Sequence, residues 1–292
     1  LNRESDFVML EKTQDGIWVI APEKDKEQFP ANANKIAKLL DDLVRIKISS
    51  PVYDLDKDLD QTGLNTPSTI ELWVKDRSVL KVDIGTRRYS GGQYIRLNDK
   101  GYLLNEAIDN VSISEDDWEL KALFSLKKEQ IKKFEFIEAN AKTPLIIERN
   151  APNEKLKITS KVQIKSISDI EVENLEKIYE DISFSYKYDL SNYAAKSAFA
   201  KPHRANIYLF DGRVYNVIIG YIKKPNKEKN KNDSQYKYFI KVKVQKSSES
   251  LSSDEEFNLN QLNDLMQKWY FEVYEYIAKK FIKTAKDFEK KD

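Results

Sequence analysis

The chain contains no cysteine and one histidine, His203, in 292 residues. Disulfides, thiol nucleophiles and zinc–thiolate sites are excluded, and a single imidazole argues against most metal-dependent hydrolase schemes. An excess of either charge is also missing. Forty-nine basic residues against forty-eight acidic ones leave +1, which gives no global field to attract nucleic acid or an anionic membrane. No apolar run approaches the ~20 residues that span a bilayer, and no signal peptide is visible. The chain opens on "LNRESDFVMLEK", without Met and almost at once strand-like. A leader or anchor upstream of Leu1 is therefore expected to have been removed.

What is present is a globular composition. Hydrophobic residues make up 40% and aromatics 11%, which argues against wholesale disorder, while 33% charge and a mean hydropathy of −0.64 describe a well-solvated surface. The length suits two domains, each with its own core.

One phrase occurs twice. "KDRSVLKVDIG", residues 75–85, lies over "FDGRVYNVIIG", residues 210–220, an offset of about 135 at the glycine. Working backwards, "IELWV" (70–74) is matched with "NIYLF" (206–210), so each phrase reads as a strand, a polar turn and a second strand ending in Gly85 or Gly220. Upstream, Ile36, Leu39, Leu40, Leu43 and Ile46 share one helical face, as do Ile170, Leu175, Ile178 and Ile182. Hairpin-like pairs precede both helices.

The fold class this predicts is α+β: two tandem duplicated units, each an antiparallel sheet with one helix, plus a C-terminal helical segment. The boundaries fall at 1–115 for the first unit, 116–130 for a connecting segment, 131–250 for the second unit and 251–292 for the C-terminal segment. In that last segment Leu259, Leu262, Leu265 and Met266 form a helical face. "WYFEVY" alternates like a strand, yet Trp269, Val273 and Ile277 also fit one continuous helix. "KKPNKEKNKNDSQ" reads as a long hairpin tip and "SSESLSSDEEF" as a polar stretch after the second sheet.

The sharper chemical readings are few. Gly85 and Gly220 are followed by no helix, so they lack the context of a phosphate loop and are read as structural turns, with no cofactor implied. "DLDKDLD" sets Asp54, Asp56, Asp58 and Asp60 at alternate positions. A calcium loop would need glycine at Leu59 and glutamate at Asn65, so a solvated loop and no metal are expected. His203 reads as a strand-edge residue. "TRRYSGGQYIR" gathers Arg87, Arg88, Tyr89, Tyr94 and Arg96 on a glycine-tipped hairpin, a candidate site for a partner, a polysaccharide or a small anion through arginine forks and aromatic stacking.

"QTGLNTPSTIELWVKDRSVLKVDIGTRRYSGGQYIRL" resembles the domain of unknown function 4340, which carries a "GL-x-x-P" turn, a strand, a polar turn, a strand ending "IG" and a "Y-x-R" strand. Gly63, Leu64, Pro67, Gly85, Tyr94 and Arg96 stand at those positions, with Gly63 and Pro67 as structural turn residues. "DDWELKALFSLKKEQIKKFEF" is similar to the family's link between repeats, and "WYFEVYEY" to its closing segment. The second half keeps Pro202 and Gly220, lacks the Gly-Leu pair and has Tyr238 without an arginine two residues on. The resemblance implies a non-enzymatic extracytoplasmic protein held by an N-terminal membrane helix. It further implies a scaffold or adaptor similar to auxiliary components of gliding-type ABC transporters, with a membrane complex such as a permease as partner. No nucleic acid and no direct membrane insertion of this stretch are expected.

Overall fold

The first long helix forms where capping and periodicity agree. Asn32 accepts a hydrogen bond from the Lys35 N–H at 3.1 Å and starts α1 (Ala33–Arg45), and the stripe Ile36, Leu39, Leu40 and Leu43 turns inward. Burying Ile36 and Leu39 contributes roughly 1.5–3 kcal/mol each. The computed structural model describes residues 7–21, 27–52, 55–89, 91–109, 111–175, 179–224, 235–246 and 253–290. It divides the chain into two units, Leu1–Leu120 and Lys121–Asp292.

In the first unit β1 (Met9–Lys12), β2 (Trp18–Ala21) and β3 (Phe29–Pro30) form a small antiparallel sheet before α1. β4 (Ile48–Val52) and α2 (Leu55–Thr62) follow, then β5 (Ser68–Val74), β6 (Arg77–Arg87), β7 (Gln93–Leu97), β8 (Lys100–Leu104) and the short α3 (Glu115–Trp118). The main sheet has the order β4-β8-β7-β6-β5. Its inner face supplies Ile70, Val82, Ile84, Ile95 and Leu104 to a core shared with α1, Ile20 and Trp118.

The second unit runs β9 (Ala122–Phe124), β10 (Ile131–Ile137), β11 (Leu145–Glu148), β12 (Lys157–Ile158), α4 (Asp169–Leu175), β13 (Ile182–Ser183) and β14 (Tyr186–Asp189). It continues with α5 (Tyr193–Ser197), which leads into a 3-10 turn (Ala198–Ala200), then β15 (His203–Leu209), β16 (Val214–Lys223) and β17 (Tyr236–Gln245). α6 (Ser253–Lys268), β18 (Trp269–Val273) and α7 (Glu275–Phe281) close the chain. The eight-stranded order is β12-β11-β10-β15-β16-β17-β18-β14. Within it β14-β18-β17-β16-β15 repeats the first unit's β4-β8-β7-β6-β5 strand for strand.

The α+β class is observed, and several details differ from expectation. Of the two readings left open for "WYFEVY", the strand is observed over Trp269–Val273: β18 takes the place that β8 holds in the first sheet, and α6 is inserted ahead of it. The expected connector at 116–130 contains the division between the units, at Leu120 and Lys121, and it is buried on both sides: Trp118 in the first unit, and Leu123, Phe124 and Leu126 in the second. The expected Asp loop is instead α2, whose carboxyl end packs on β6; Asp54 lies outside the described residues. In α4 the buried positions are Val172 and Leu175, while Ile170 is exposed and Ile182 has passed into β13. Ile178, most of "KKPNKEKNKNDSQ" and the start of "SSESLSSDEEF" lie outside the described residues.

Gly85 and Gly220 correct the reading of turns. Both sit inside strands, β6 and β16, and neither has a positive φ. What requires glycine is close approach. A Cβ on Gly85 would run into the Thr62 carbonyl oxygen at the end of α2, and one on Gly220 would lie 2.6 Å from the Ala198 carbonyl oxygen in the turn after α5. In each unit a carbonyl at the carboxyl end of the helical stretch before the hairpin rests on the second strand. Gly63 does turn, at φ +67°, and delivers Leu64 to the interior at 1% exposure.

Candidate functional site

The candidate hairpin joins β6 to β7. Strand alternation puts Ile84 and Ile95 in the core and Asp83, Tyr94 and Arg96 on the opposite face. Arg96 donates from Nε and Nη2 to Asp83 Oδ2, at 2.8 and 2.6 Å, while the Thr69 hydroxyl donates to Oδ1 at 2.6 Å. Burial raises the Asp83 pKa, but the bonds from Thr69 and Arg96 outweigh it and hold the carboxyl below its ordinary value. Arg87 is tied to Asp109 at 2.9 Å and to the Ile108 carbonyl at 3.1 Å. Arg88 and Tyr89 project into solvent, Tyr89 completely. The five residues thus do not converge: two arginines tie the sheet and its following loop, Tyr94 is half-buried, and Arg88 and Tyr89 remain outward.

The second unit brings together residues that were not grouped in the sequence. Tyr221 of β16 pairs directly with Tyr238 of β17, rings 5.9 Å apart. Tyr236 meets Tyr221 edge-on at 5.3 Å, and the half-buried His203 stacks on Tyr221 at 6.0 Å. Burial lowers the His203 pKa, against a smaller opposing pull from Glu138, so the imidazole is held toward neutrality. Tyr221 and Tyr236 keep 40% and 37% of their surface exposed. Val273 pairs with Tyr238, and the chain continues into Tyr274 and Tyr276, which are stacked and more than half exposed. The strip offers flat apolar faces and phenolic hydroxyls, a surface suited to contact with another molecule. Its sequence signal was present: tyrosines flank the lysine-rich insertion that separates β16 from β17.

A second missed cluster lies where β10 meets β15. Glu135 accepts bonds from Lys133 (2.7 Å), Tyr208 (2.7 Å) and Asn206 (3.2 Å), and the Lys133 ammonium sits 4.0 Å from the Tyr208 ring centre. Burial works against the Glu135 charge, yet these donors keep its pKa low, while burial and the bond to Glu135 push the Tyr208 hydroxyl to about 12. Elsewhere in this unit a cavity of about 450 Å³ has Lys142, Lys161 and Lys283 around Phe136 and Leu145. Among the described residues no group of three or more His, Asp or Glu side chains is placed to hold a metal, and no helix is long and apolar enough to cross a membrane.

The fold and these surfaces define a two-unit α+β protein with paired antiparallel sheets. The chain belongs to the DUF4340 family, a domain of unknown function, whose match runs over residues 18–191, more than half the length. That match starts in β2, crosses into the second unit and stops before the second copy of the repeated phrase. No curated protein and no solved structure matches the chain.

Proposed function

We propose that this chain is a non-enzymatic scaffold or adaptor of a membrane complex on the extracytoplasmic side, similar to an auxiliary component of a gliding-type ABC transporter, with a permease as partner. The observation that carries this reading is the strip His203, Tyr221 and Tyr236 seated beside the buried Tyr238, together with the exposed pair Tyr274 and Tyr276 that follows β18. Tyrosine is enriched at the energetic centres of protein interfaces. The repeated sheet order and the two helix-seated glycines support an origin by duplication, which would give an adaptor two related frames.

The test is co-purification of partners with the protein from detergent-solubilised membranes. Changing Tyr221 and Tyr236 together to Ser should weaken capture of the permease about 30-fold, the equivalent of ~2 kcal/mol at an interface centre. External protease should reach the protein in spheroplasts. Protection from protease, or undiminished capture by the double variant, overturns the reading. A polysaccharide or small anion at the first hairpin is the competing proposal. It would rest on Arg88 and Tyr89, since Arg87 and Arg96 are engaged within the unit.

A further inference from the structure

The two sheets differ at one edge. In the second unit β15 is covered: β10 runs antiparallel along it, with Phe134 opposite Ile207 and Glu135 opposite Asn206, and β11 and β12 extend the sheet further. In the first unit the matching strand, β5, pairs among the described residues with β6 alone and ends the sheet. The hairpin that precedes α1 closes with β3 into a sheet of its own instead of covering β5. Five of the seven β5 residues are exposed, with Trp73 at 58% and Val74 at 61%. An edge of this length presents a row of backbone donors and acceptors ready to pair with another strand.

Register shows what a covering strand would meet. Ser68 pairs with Ile84 next to Gly85, and His203 pairs with Ile219 next to Gly220, and the two pairings stay in step as far as Leu72 and Ile207; a bulge then sets Trp73 opposite Ser78, so Trp73 is the counterpart of Tyr208 by the offset of 135 in sequence. Tyr208 lies under the Lys133 ammonium of β10 and bonds to Glu135 of the same strand. Trp73 has no ring or cation contact of this kind among the described residues. β10 itself alternates buried Phe134 and Phe136 with Lys133 and Glu135.

We propose that β5 is a strand-addition site. It takes, antiparallel, an extended segment of a partner protein in which apolar residues on the core side alternate with charged ones, a lysine or arginine being set over the Trp73 indole. The proposal deepens the adaptor reading and rests on it. Main-chain pairing supplies the attachment, and the side chains at alternate positions supply the selectivity.

The probe is a synthetic peptide with the sequence of residues 130–138, "QIKKFEFIE", added to the whole chain. Tryptophan emission and amide chemical shifts follow the titration. Saturable binding is expected, with shifts confined to β5 and β6. Trp73→Ala should weaken it about fivefold, the worth of one exposed cation–π contact. Consecutive N–H groups of a strand point alternately toward and away from a given neighbour. Of Glu71→Pro and Leu72→Pro, one therefore removes an outward donor, and that variant should keep its melting transition and lose the peptide. Shifts at β15, or equal binding of a scrambled peptide, would overturn the site. So would a dimer of the chain dissolved by the same proline, because a second copy would then be the occupant. If membrane capture survives the proline that abolishes peptide binding, the adaptor reading stands and the β5 site falls. If the peptide binds β5 while no membrane protein co-purifies with the unmodified chain, the site stands and the adaptor reading falls.

Discussion

Gly85 and Gly91 lie six residues apart and resist substitution for opposite reasons. Gly91 has open space around it but φ +93°, so a side chain there costs about 1 kcal/mol in backbone strain. Gly85 has an ordinary extended backbone, yet a methyl group would meet a main-chain carbonyl that moves only with α2. Gly85→Ala should therefore cost about 1–3 kcal/mol, the usual toll of overpacking, and Gly220→Ala a similar amount. Thermal melts check both; a Gly85→Ala transition within a degree of the parent's would mean that α2 shifts freely. Asp83 makes a second residue-scale prediction, in pH. Its folded pKa is depressed, so its contribution is complete above the unfolded value of about 3.9 and fades as pH falls through the folded one. Asp83→Asn should cost about 1–2 kcal/mol at pH 7, and the gap to the parent should narrow below about pH 4. Denaturant melts at pH 7 and pH 3 measure it, and a gap that widens on acidification would contradict the assignment.

At the scale of elements, α1 was legible because its stripe and its Asn32 cap are local features. The prediction follows the stripe: Ile36→Ala should cost about 2–5 kcal/mol and Val44→Ala, at 85% exposure, less than about 0.5. Urea titrations that rank the two otherwise would refute the helix orientation. The repeated phrase was legible at its glycine but slipped by one residue in its first strand, where "IELWV" was matched with "NIYLF". Paired register restores the offset of 135 from Ser68 and His203 as far as Leu72 and Ile207, where a bulge in the first sheet shifts the pairing of Trp73. The slip matters because side chains alternate, so one residue exchanges inner for outer positions along the strand. Composition could not reveal it, since aromatic and β-branched residues occupy both faces here. The pairing of Arg96 with Asp83 was hidden for a related reason: the partners lie thirteen positions apart and meet only across two strands.

For the whole molecule, what sequence patterns could not carry is non-local: which strand covers which edge, and that β18 is inserted between β17 and β14. The segment expected to be C-terminal and helical, 251–292, thus contributes a strand to the second unit's frame. Its last helix is equally engaged, since Phe281 is fully buried against Phe124 and Tyr179, at ring distances of 6.2 and 5.4 Å, and the Tyr179 hydroxyl donates to the Lys280 carbonyl at 2.7 Å. Burial pushes the Tyr179 pKa well above its ordinary value, so the phenol keeps the proton it donates. The first unit has a separate core built on α1 and Trp118. Two melting processes are therefore expected in calorimetry, each assignable by one substitution. Phe281→Ala should lower the transition of the second unit by the equivalent of about 3–5 kcal/mol and leave the first in place, while Ile36→Ala should do the reverse. Truncation before Trp269 removes β18 from between β17 and β14 and strips the cover from Tyr179, so it should abolish the second transition while preserving the first. A truncated chain that still gives both transitions would show that the second unit folds without its last two dozen residues.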